Sequence, residues 1–260
     1  MSTTQIGSVY IETQGEGQAV VCIHGLGGSS NTWTPVLSAF DGFKVIRPDL
    51  PGSARSSLAD VPLSIDLYVT AIADVIRESN AAPAHIVAHS MGTIVAQHLA
   101  VQHPELVKSL VLFGPLLAPP DQGRPATRAR ATLSREQGVP GLQEIANAIV
   151  TGATSAETKA LRTVALALIR ENIMRQSPEG YAQSCEALAD AQAAPIERIQ
   201  VPTLLITGDE DGVGRPEAVK EMADRIAGSR VTVLEACGHW TTYEKPSQCV
   251  TELKHFYESI

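Results

Sequence analysis

The chain has 260 residues, 44% of them hydrophobic, so it is long enough for one α/β domain with an insertion and can bury a sizeable core. Its formal net charge of −8 opposes nucleic acid or an anionic membrane as a partner, because the field of the protein repels both. No segment reaches the roughly 18 consecutive apolar residues of a membrane span, and the N-terminus lacks the basic and apolar regions of a signal peptide.

Short apolar runs alternate with amphipathic segments in the first part of the chain, which is typical of βαβ units. Apolar residues at helical spacing predict helices over 64–79 and 91–103. The predicted strands of this part are 8–13, 19–24, 43–48, 84–88 and 107–113. We therefore expect an α/β fold with a mainly parallel central sheet flanked by helices.

The pattern changes after residue 114. Prolines and glycines are followed by helical segments with no strand between them, most clearly 160–175 and 179–194. The earlier alternation then resumes, with strands at 202–207 and 230–235 and helices at 215–226 and 247–257. The chain is therefore predicted to form a core from residues 1–114 and 200–260, with a helical cap, residues 115–199, inserted between the two parts.

Ser90 lies between a predicted strand and a predicted helix, within the sequence Ala-His-Ser-Met-Gly. The small residues Ala88 and Gly92 permit the tight turn that exposes a serine hydroxyl at a strained backbone angle, although glycine is more usual where Ala88 stands. Met91 begins the helix, so its amide can donate to a developing oxyanion. The apolar strand before the turn and the apolar-faced helix after it favour a nucleophile over an ordinary strand-to-helix turn.

A serine nucleophile needs a base, and the base needs a carboxylate that orients it. Two late predicted strands end in turns that supply these groups, at the same edge of the sheet as Ser90. The first turn carries Asp209, Glu210 and Asp211, and the second carries His239. The residues alone therefore predict a triad of Ser90, His239 and one of three neighbouring acids.

The glycine-rich segment 24–28, His-Gly-Leu-Gly-Gly, follows the first strongly apolar strand. It is predicted to supply the second oxyanion donor, the amide of Leu26, and to place Gly25 at the substrate pocket. A phosphate-binding loop is disfavoured because neither GxxxxGK[ST] nor GxGxxG is present. His24 and His89 are predicted to be structural or to line the pocket. The other histidines have no ligand spacing, so we expect neither a metal nor a cofactor.

The four cysteines form no CxxC pair and have no regular spacing. Cys237 lies two residues before His239, but no Cys–His pairing pattern supports a thiol nucleophile. Reduced thiols fit an intracellular compartment, so we expect a cytoplasmic protein.

Five motifs together are similar to those of the α/β-hydrolase superfamily along almost the full length of the chain: HGLGGSSNTW, DLPGSARSS, AHSMG, GDED and CGHWTTYEKP. The resemblance implies the α/β-hydrolase fold and the chain order serine, acid, histidine. Its G-x-x-D turn matches Gly208 and Asp211, which selects Asp211 as the acid, with Asp209 as the fallback. The second motif departs from the commoner DxxGxGxS at Ala54, in a structural loop.

Within the superfamily, segment 177–188 of the predicted cap is similar to bacterial 3-oxoadipate enol-lactonases, which implies a lactone or small ester substrate. The segment from Cys237 to Trp240 is instead similar to meta-cleavage-product hydrolases, which break a C–C bond with the same triad. Trp240 is also predicted to line the substrate pocket. Those enzymes usually carry asparagine before the nucleophile, where this chain has His89.

A basic run in the predicted cap is interpreted as a solvated helix face, with binding of a substrate carboxylate as the alternative. It comprises Arg124, Arg128, Arg130 and Arg135.

The leading hypothesis is a hydrolase of small carboxylic esters or lactones that acts through an acyl-enzyme on Ser90. One alternative keeps the triad but cleaves a C–C bond or moves an acyl group. Another is a ligand receptor built on the same fold, for which turnover would be very slow.

Overall fold

The structure, a computed structural model, describes residues 1–260 and contains one mixed sheet of eight strands. The strands are β1 (Ser2–Ile6), β2 (Val9–Gln14), β3 (Gln18–Ile23), β4 (Phe43–Pro48), β5 (Ala84–His89), β6 (Val107–Phe113), β7 (Thr203–Gly208) and β8 (Arg230–Leu234). Their order is β1-β2-β4-β3-β5-β6-β7-β8, antiparallel at β1–β2 and β2–β4 and parallel elsewhere. Central strand β5 is buried along its whole length, including its two histidines, His85 and His89. The α/β class with a mainly parallel sheet is therefore confirmed.

The N-terminal edge differs from the prediction. The strand expected at 8–13 is present as β2, beginning at Val9, and a strand that was not predicted, β1, pairs outside it at the edge of the sheet. Four of the five side chains of β1 are exposed, and its sequence Ser-Thr-Thr-Gln-Ile has no apolar alternation. The strand is held by backbone hydrogen bonds to β2 and contributes little to the core, so hydrophobic patterning gives no signal for it.

Helices cover both faces of the sheet. They are α1 (Ile65–Glu78), α2 (Met91–Gln102), α3 (Arg124–Gln137), α4 (Val139–Gly152), α5 (Ala156–Leu161), α6 (Thr163–Met174), α7 (Pro178–Asp190), α8 (Pro216–Arg225), α9 (Thr241–Glu244) and α10 (Pro246–Glu258). One core cluster joins α1, α2 and α8 to the sheet, and a second joins α10 and a 3₁₀ segment, Ser30–Phe40, to the opposite face. None of the helices combines the length and apolar content needed to cross a membrane.

Five helices, α3 to α7, lie between β6 and β7, where the sequence predicts a cap. The expected continuous helix over 160–175 is wrong, because Arg162 (φ −122°, ψ 57°) separates α5 from α6. The residues around the break are helix-compatible, so tertiary contacts of α5 override local propensity. The helix expected over 179–194 begins at Pro178 and ends at Asp190, where Ala191 leaves the helical conformation. The bounds of the core and the cap remain a prediction.

Candidate active site

The turn at Ser90 joins β5 to α2 with φ 52° and ψ −123°, in the left-handed region that non-glycine residues rarely adopt. The amide of Ser90 donates to the carbonyl of Phe113 at 3.0 Å. On the other side α2 approaches β3 so closely that a Cβ on Gly92 would lie 2.6 Å from the carbonyl oxygens of Ile23 and His24. The small residue at Gly92 therefore has a steric cause, and the turn leaves Ser90 partly exposed.

The structure brings Ser90, His239 and Asp211 together at the carboxyl edge of the sheet. Nε2 of His239 lies 2.8 Å from Oγ of Ser90, and Nδ1 lies 2.9 Å from Oδ2 of Asp211. Because a carboxylate only accepts, Nδ1 carries the proton and Nε2 is left to accept from the serine hydroxyl. Gly114 (φ 53°) passes beside the ring, where a Cβ would lie 2.8 Å from Nδ1, so only glycine fits there without displacing His239.

Asp211 is buried, and both of its carboxylate oxygens are engaged. Oδ2 faces His239, while Oδ1 accepts from the amides of Val213 at 2.7 Å and Gly214 at 2.9 Å. Burial alone raises the pKa of this carboxyl, but the charge and hydrogen bond of His239 and the two amides outweigh it and lower the pKa to about 2. Asp211 is therefore a fixed anion against the histidine.

The two neighbouring acids have other partners. Asp209 accepts from the amide of Cys237 at 3.1 Å, which ties the turn after β7 to the turn after β8. Glu210 accepts from the amide of Ala156 at 2.9 Å, at the start of α5. Of the three acids that the sequence places here, Asp211 alone hydrogen-bonds to His239.

The glycine-rich loop after β3 lies against Ser90. A Cβ on Gly25 would lie 2.8 Å from Cβ of Ser90, so the loop needs glycine at this position to reach the nucleophile. The next amide, that of Leu26, donates no hydrogen bond within the protein. Met91 is the first residue of α2, so its amide also lacks an intrahelical acceptor. His24 braces the loop, since its Nε2 accepts from Leu50 at 2.9 Å and its Nδ1 donates to the Gly25 carbonyl at 2.8 Å.

His89 and Trp240 pack behind the catalytic histidine candidate. Nε2 of His89 donates to the carbonyl of His239 at 2.9 Å, and its ring lies 4.9 Å from that of His239 and 5.2 Å from that of Trp240, centroid to centroid. Burial and then the charge of His239 lower the pKa of His89 to about 3, so the ring is neutral. Both side chains are buried, which makes them supports of His239 in this structure, and their place at the substrate pocket remains a prediction.

Glu244 supports the turn that carries His239, and the sequence indicates it only through a family pattern. Its side chain is fully buried, yet no cation pairs with it. Its oxygens accept instead from the amides of Gly238 at 3.0 Å, Trp240 at 3.0 Å and Ser155 at 2.8 Å. The first two amides flank His239, so this carboxylate shapes the turn that carries the histidine. The sequence signal for this role is the family motif CGHWTTYEKP, which contains Glu244 five residues after His239.

A seam of polar contacts joins the turn region around His239 to residues 153–157 of the inserted helices. Its four contacts are His239 N to Ala153 O (3.0 Å), Ser155 N to Glu244 (2.8 Å), Ala156 N to Glu210 (2.9 Å) and Lys245 Nζ to Glu157 (2.8 Å). Gly238 lies in the seam, where a Cβ would stand 2.8 Å from the amide of Ser155. The position of the histidine therefore depends on the insertion as well as on the core.

Replacing Glu244 tests this dependence. Glu244→Ala leaves three buried amides without an acceptor, so we expect it to lower the free energy of unfolding by about 3 kcal/mol and kcat/KM by about tenfold or more. Glu244→Gln retains one acceptor oxygen and should lose less. Urea unfolding and ester hydrolysis measure both effects, with Glu235→Ala as a control at an exposed acid nearby. If Glu244→Ala and Glu235→Ala changed the free energy of unfolding and kcat/KM by the same amounts, Glu244 would not be a support of the histidine turn.

The cysteines offer a test of the thiol alternative. All four are free and buried, and burial raises the pKa of each thiol, to about 12 for Cys22 and Cys185 and beyond that for Cys237 and Cys249. We expect Ellman's reagent at pH 8 to modify none of them and to leave activity intact, and to modify all four in urea. Rapid inactivation of the native protein would contradict this and revive Cys237 as a reactive group.

Residues 18–246 match the family model described as alpha/beta hydrolase fold. The chain is 29% identical over 238 residues to 3-oxoadipate enol-lactonase 2 of Acinetobacter baylyi, covering 90% of this chain and 86% of that protein. It is 28% identical over 247 residues to a 2-hydroxy-6-oxononadienedioate/2-hydroxy-6-oxononatrienedioate hydrolase of Pseudomonas putida, covering 88% and 84%. The crystal structure of the enol-lactonase from Burkholderia xenovorans LB400 superposes with a TM-score of 0.89 at 24% identity, covering 99% of this chain and all of that one.

Proposed function

Because the chain belongs to the α/β-hydrolase fold family, we propose that it is a serine hydrolase that cleaves a carboxylic ester or lactone through an acyl-enzyme. The observation that carries the proposal is the continuous hydrogen-bonded chain from Ser90 Oγ through His239 to Asp211. An alcohol becomes an effective nucleophile only when a base takes its proton, and this arrangement supplies both the base and the anion that orients it.

In the proposed first step, Oγ of Ser90 attacks the substrate carbonyl while its proton passes to Nε2 of His239. Asp211, ionised and buried, holds Nδ1–H and stabilises the imidazolium that forms. The negative charge on the former carbonyl oxygen is met by the amides of Leu26 and Met91, which lack acceptors of their own within the fold. His239 then protonates the leaving alkoxide, and the acyl group remains on Ser90.

In the second step, a water molecule takes the place of the leaving group. It gives a proton to Nε2 of His239 and attacks the acyl carbonyl, and the same two amides stabilise the oxyanion. Collapse of this intermediate releases the acid and returns the proton to Ser90. A lactone follows the same path, except that its leaving alkoxide stays attached to the acyl chain.

The inserted helices are proposed to act as the cap that shapes the substrate pocket. Their apolar cluster, which includes Ile173 and Tyr181, packs against Leu26 and Trp240. The similarity to an enol-lactonase and the resemblance of segment 177–188 to that group favour a lactone or small ester. We also propose a cytoplasmic location, because the cysteines are all free thiols.

A second candidate reaction is C–C bond hydrolysis, favoured by the similarity to the Pseudomonas putida hydrolase and by the segment from Cys237 to Trp240. Hydrolysis rates for a panel of lactones, short-chain p-nitrophenyl esters and a meta-cleavage dienoate distinguish ester or lactone hydrolysis from C–C bond hydrolysis. Hydrolysis of lactones or esters without loss of the dienoate chromophore in stopped-flow absorbance supports the first proposal. Rapid loss of that chromophore, with slow ester turnover, would replace it by the second.

A further inference from the structure

Gln176 lies in the short connection between α6 and α7, and its side chain is buried. Its Nε2 donates to the carbonyls of Gly27 at 3.3 Å and Gly28 at 3.0 Å, in the glycine-rich loop after β3. It also donates to the carbonyl of Asn172 at 2.7 Å, within the insertion. Its Oε1 accepts from the amide of Ala54 at 2.9 Å, in the loop after β4. One side chain of the insertion therefore joins two loops of the core.

The hydrogen bonds of this side chain require a primary amide. Nε2 donates only to carbonyl oxygens and Oε1 accepts from a backbone N–H, so an amide with its oxygen and nitrogen exchanged would set acceptor against acceptor and donor against donor. A carboxylate would accept from Ala54 but could not donate to the glycine carbonyls, and an ammonium would do the reverse. Glutamine at position 176 therefore serves both loops at once.

The contact with Ala54 fixes one end of the side chain. Ala54 has φ 49°, at the position where the family motif more commonly has glycine. Alanine is strained in this left-handed region and stays there only where its surroundings hold it. Oε1 of Gln176 holds the amide of Ala54 and is part of those surroundings. The loop after β4 and the glutamine therefore constrain each other, which keeps Nε2 in place for its other partners.

A hydrogen-bonded chain leads from the other end of Gln176 to Leu26. The Gly27 carbonyl, which accepts from Nε2, shares a planar peptide unit with the amide of Gly28. That amide donates to the carbonyl of Gly25 at 3.0 Å, and this carbonyl shares a second peptide unit with the amide of Leu26. In a trans peptide the C=O and N–H point in opposite directions, so each link sets the direction of the next. The chain ends at the Leu26 N–H, which has no acceptor within the protein.

The insertion also holds the glycine-rich loop through α6. Ser29, next to Gly28, donates from its hydroxyl to Oδ1 of Asn172 at 2.7 Å. Ile173 packs so closely against Gly27 (φ 71°) that a Cβ on this glycine would lie 3.1 Å from the isoleucine side chain. Three consecutive residues, 27–29, therefore contact the insertion, and Gln176 adds hydrogen bonds to their backbone carbonyls.

We propose that Gln176 is a positioning residue that aims the amide of Leu26 at the oxyanion formed during ester or lactone hydrolysis. It acts through the two peptide units 27–28 and 25–26. The inference rests on the proposed hydrolase function. It gives the insertion a part in transition-state stabilisation besides its part in shaping the substrate pocket.

The test uses Gln176→Met, which keeps the length of the side chain and removes all of its hydrogen bonds. With p-nitrophenyl acetate we expect kcat to fall about 10- to 100-fold and KM to change by no more than about twofold. Acylation and deacylation both pass through an oxyanion, so kcat falls whichever step limits turnover. Gln143→Met removes an amide from an exposed position of α4, in the same insertion, and should leave both constants within about twofold of wild type.

A transition-state analogue separates a misdirected oxyanion donor from loosened inserted helices. An alkyl trifluoromethyl ketone accepts Oγ of Ser90 at its carbonyl carbon, the serine proton passes to His239, and the carbonyl oxygen becomes an oxyanion. Its inhibition constant in Gln176→Met should rise by the same factor as kcat/KM falls. A role confined to packing of the insertion would instead weaken the binding of ester and ketone alike, so that KM and the inhibition constant rise together while kcat is kept.

Three results overturn the inference: a kcat within about twofold of wild type in folded Gln176→Met, a loss confined to KM, or a fall in kcat with no change in the inhibition constant. Circular dichroism and urea unfolding establish that the variant is folded. Gln176→Asn, still an amide but one methylene too short to reach both loops, takes its place if Gln176→Met does not fold, and the same criteria apply. Failure of the hydrolase proposal is seen separately, as the absence of ester hydrolysis in the wild type or as hydrolysis that persists in Ser90→Ala.

Discussion

Ser90→Ala is expected to lower kcat/KM for p-nitrophenyl esters by about 10⁴- to 10⁶-fold. The hydroxyl removed is the one that Nε2 of His239 contacts, at 2.8 Å, so neither a nucleophile nor a proton donor remains in line with the imidazole. Residual hydrolysis then comes from the oxyanion donors and substrate binding alone. Initial rates at saturating and low substrate concentration measure the loss.

The fold should survive this substitution, which keeps the result interpretable. Position 90 has φ 52°, and alanine is disfavoured there much as serine is, so the strain of the turn is retained. Thermal unfolding followed by circular dichroism provides the check, and Ser247→Ala, at an exposed serine of α10, is the matched control for the loss of a hydroxyl. A Ser90→Ala protein that is folded and hydrolyses esters at the wild-type rate would refute the assignment of the nucleophile.

Asp211→Asn is expected to reduce kcat by about 10³- to 10⁴-fold. The amide of asparagine can present its NH₂ group to Nδ1 of His239. This favours the tautomer that carries its proton on Nε2, which cannot accept the proton of Ser90. The neutral amide also does not stabilise the imidazolium. Asp209→Asn is the decisive comparison, because Asp209 lies in the same turn but contacts only the amide of Cys237. We expect its kcat to change by no more than about threefold. A larger loss in Asp209→Asn than in Asp211→Asn would transfer the role to Asp209.

The same carboxylate contributes to stability in a way that depends on pH. The pKa of Asp211 is about 2 in the folded protein, below the ordinary value of 3.8 for an aspartate side chain. The folded state therefore favours the ionised form. This contribution is present above about pH 4 and is lost as the pH falls through about 2.

The sequence predicted most of the residues that the structure brings together at the candidate site, and each of these predictions has a local cause. Ser90 was recognisable because a tight strand-to-helix turn needs small residues at Ala88 and Gly92, and the clash that a Cβ would cause at Gly92 supports this reasoning. The acid was harder to choose, since three neighbouring carboxylates look alike in sequence. The partners that distinguish them, His239, Cys237 and Ala156, belong to distant segments.

Features that depend on distant contacts escaped prediction. Glu244 is buried among backbone amides, and no local pattern separates such an acid from a solvated one. The break at Arg162 occurs in helix-compatible sequence, because α5 is oriented by Glu157 and Ala156 against the core. Likewise Arg124, Arg128 and Arg135 belong to one basic run in sequence, but each pairs with a carboxylate of a different residue, Asp121, Asp190 and Glu179.

The seam at residues 153–157 sets a limit on how this protein can be rebuilt. Exchange of the inserted helices for those of another hydrolase, a common route to new substrate range, would remove the partners of His239 and Glu244 unless this short stretch is kept. A graft that replaces α3 and α7 but retains residues 153–157 leaves the histidine turn supported. The insertion therefore has two parts with different tolerance to exchange. Helices α3 and α7 can be replaced to change specificity, whereas residues 153–157 must be kept together with the core.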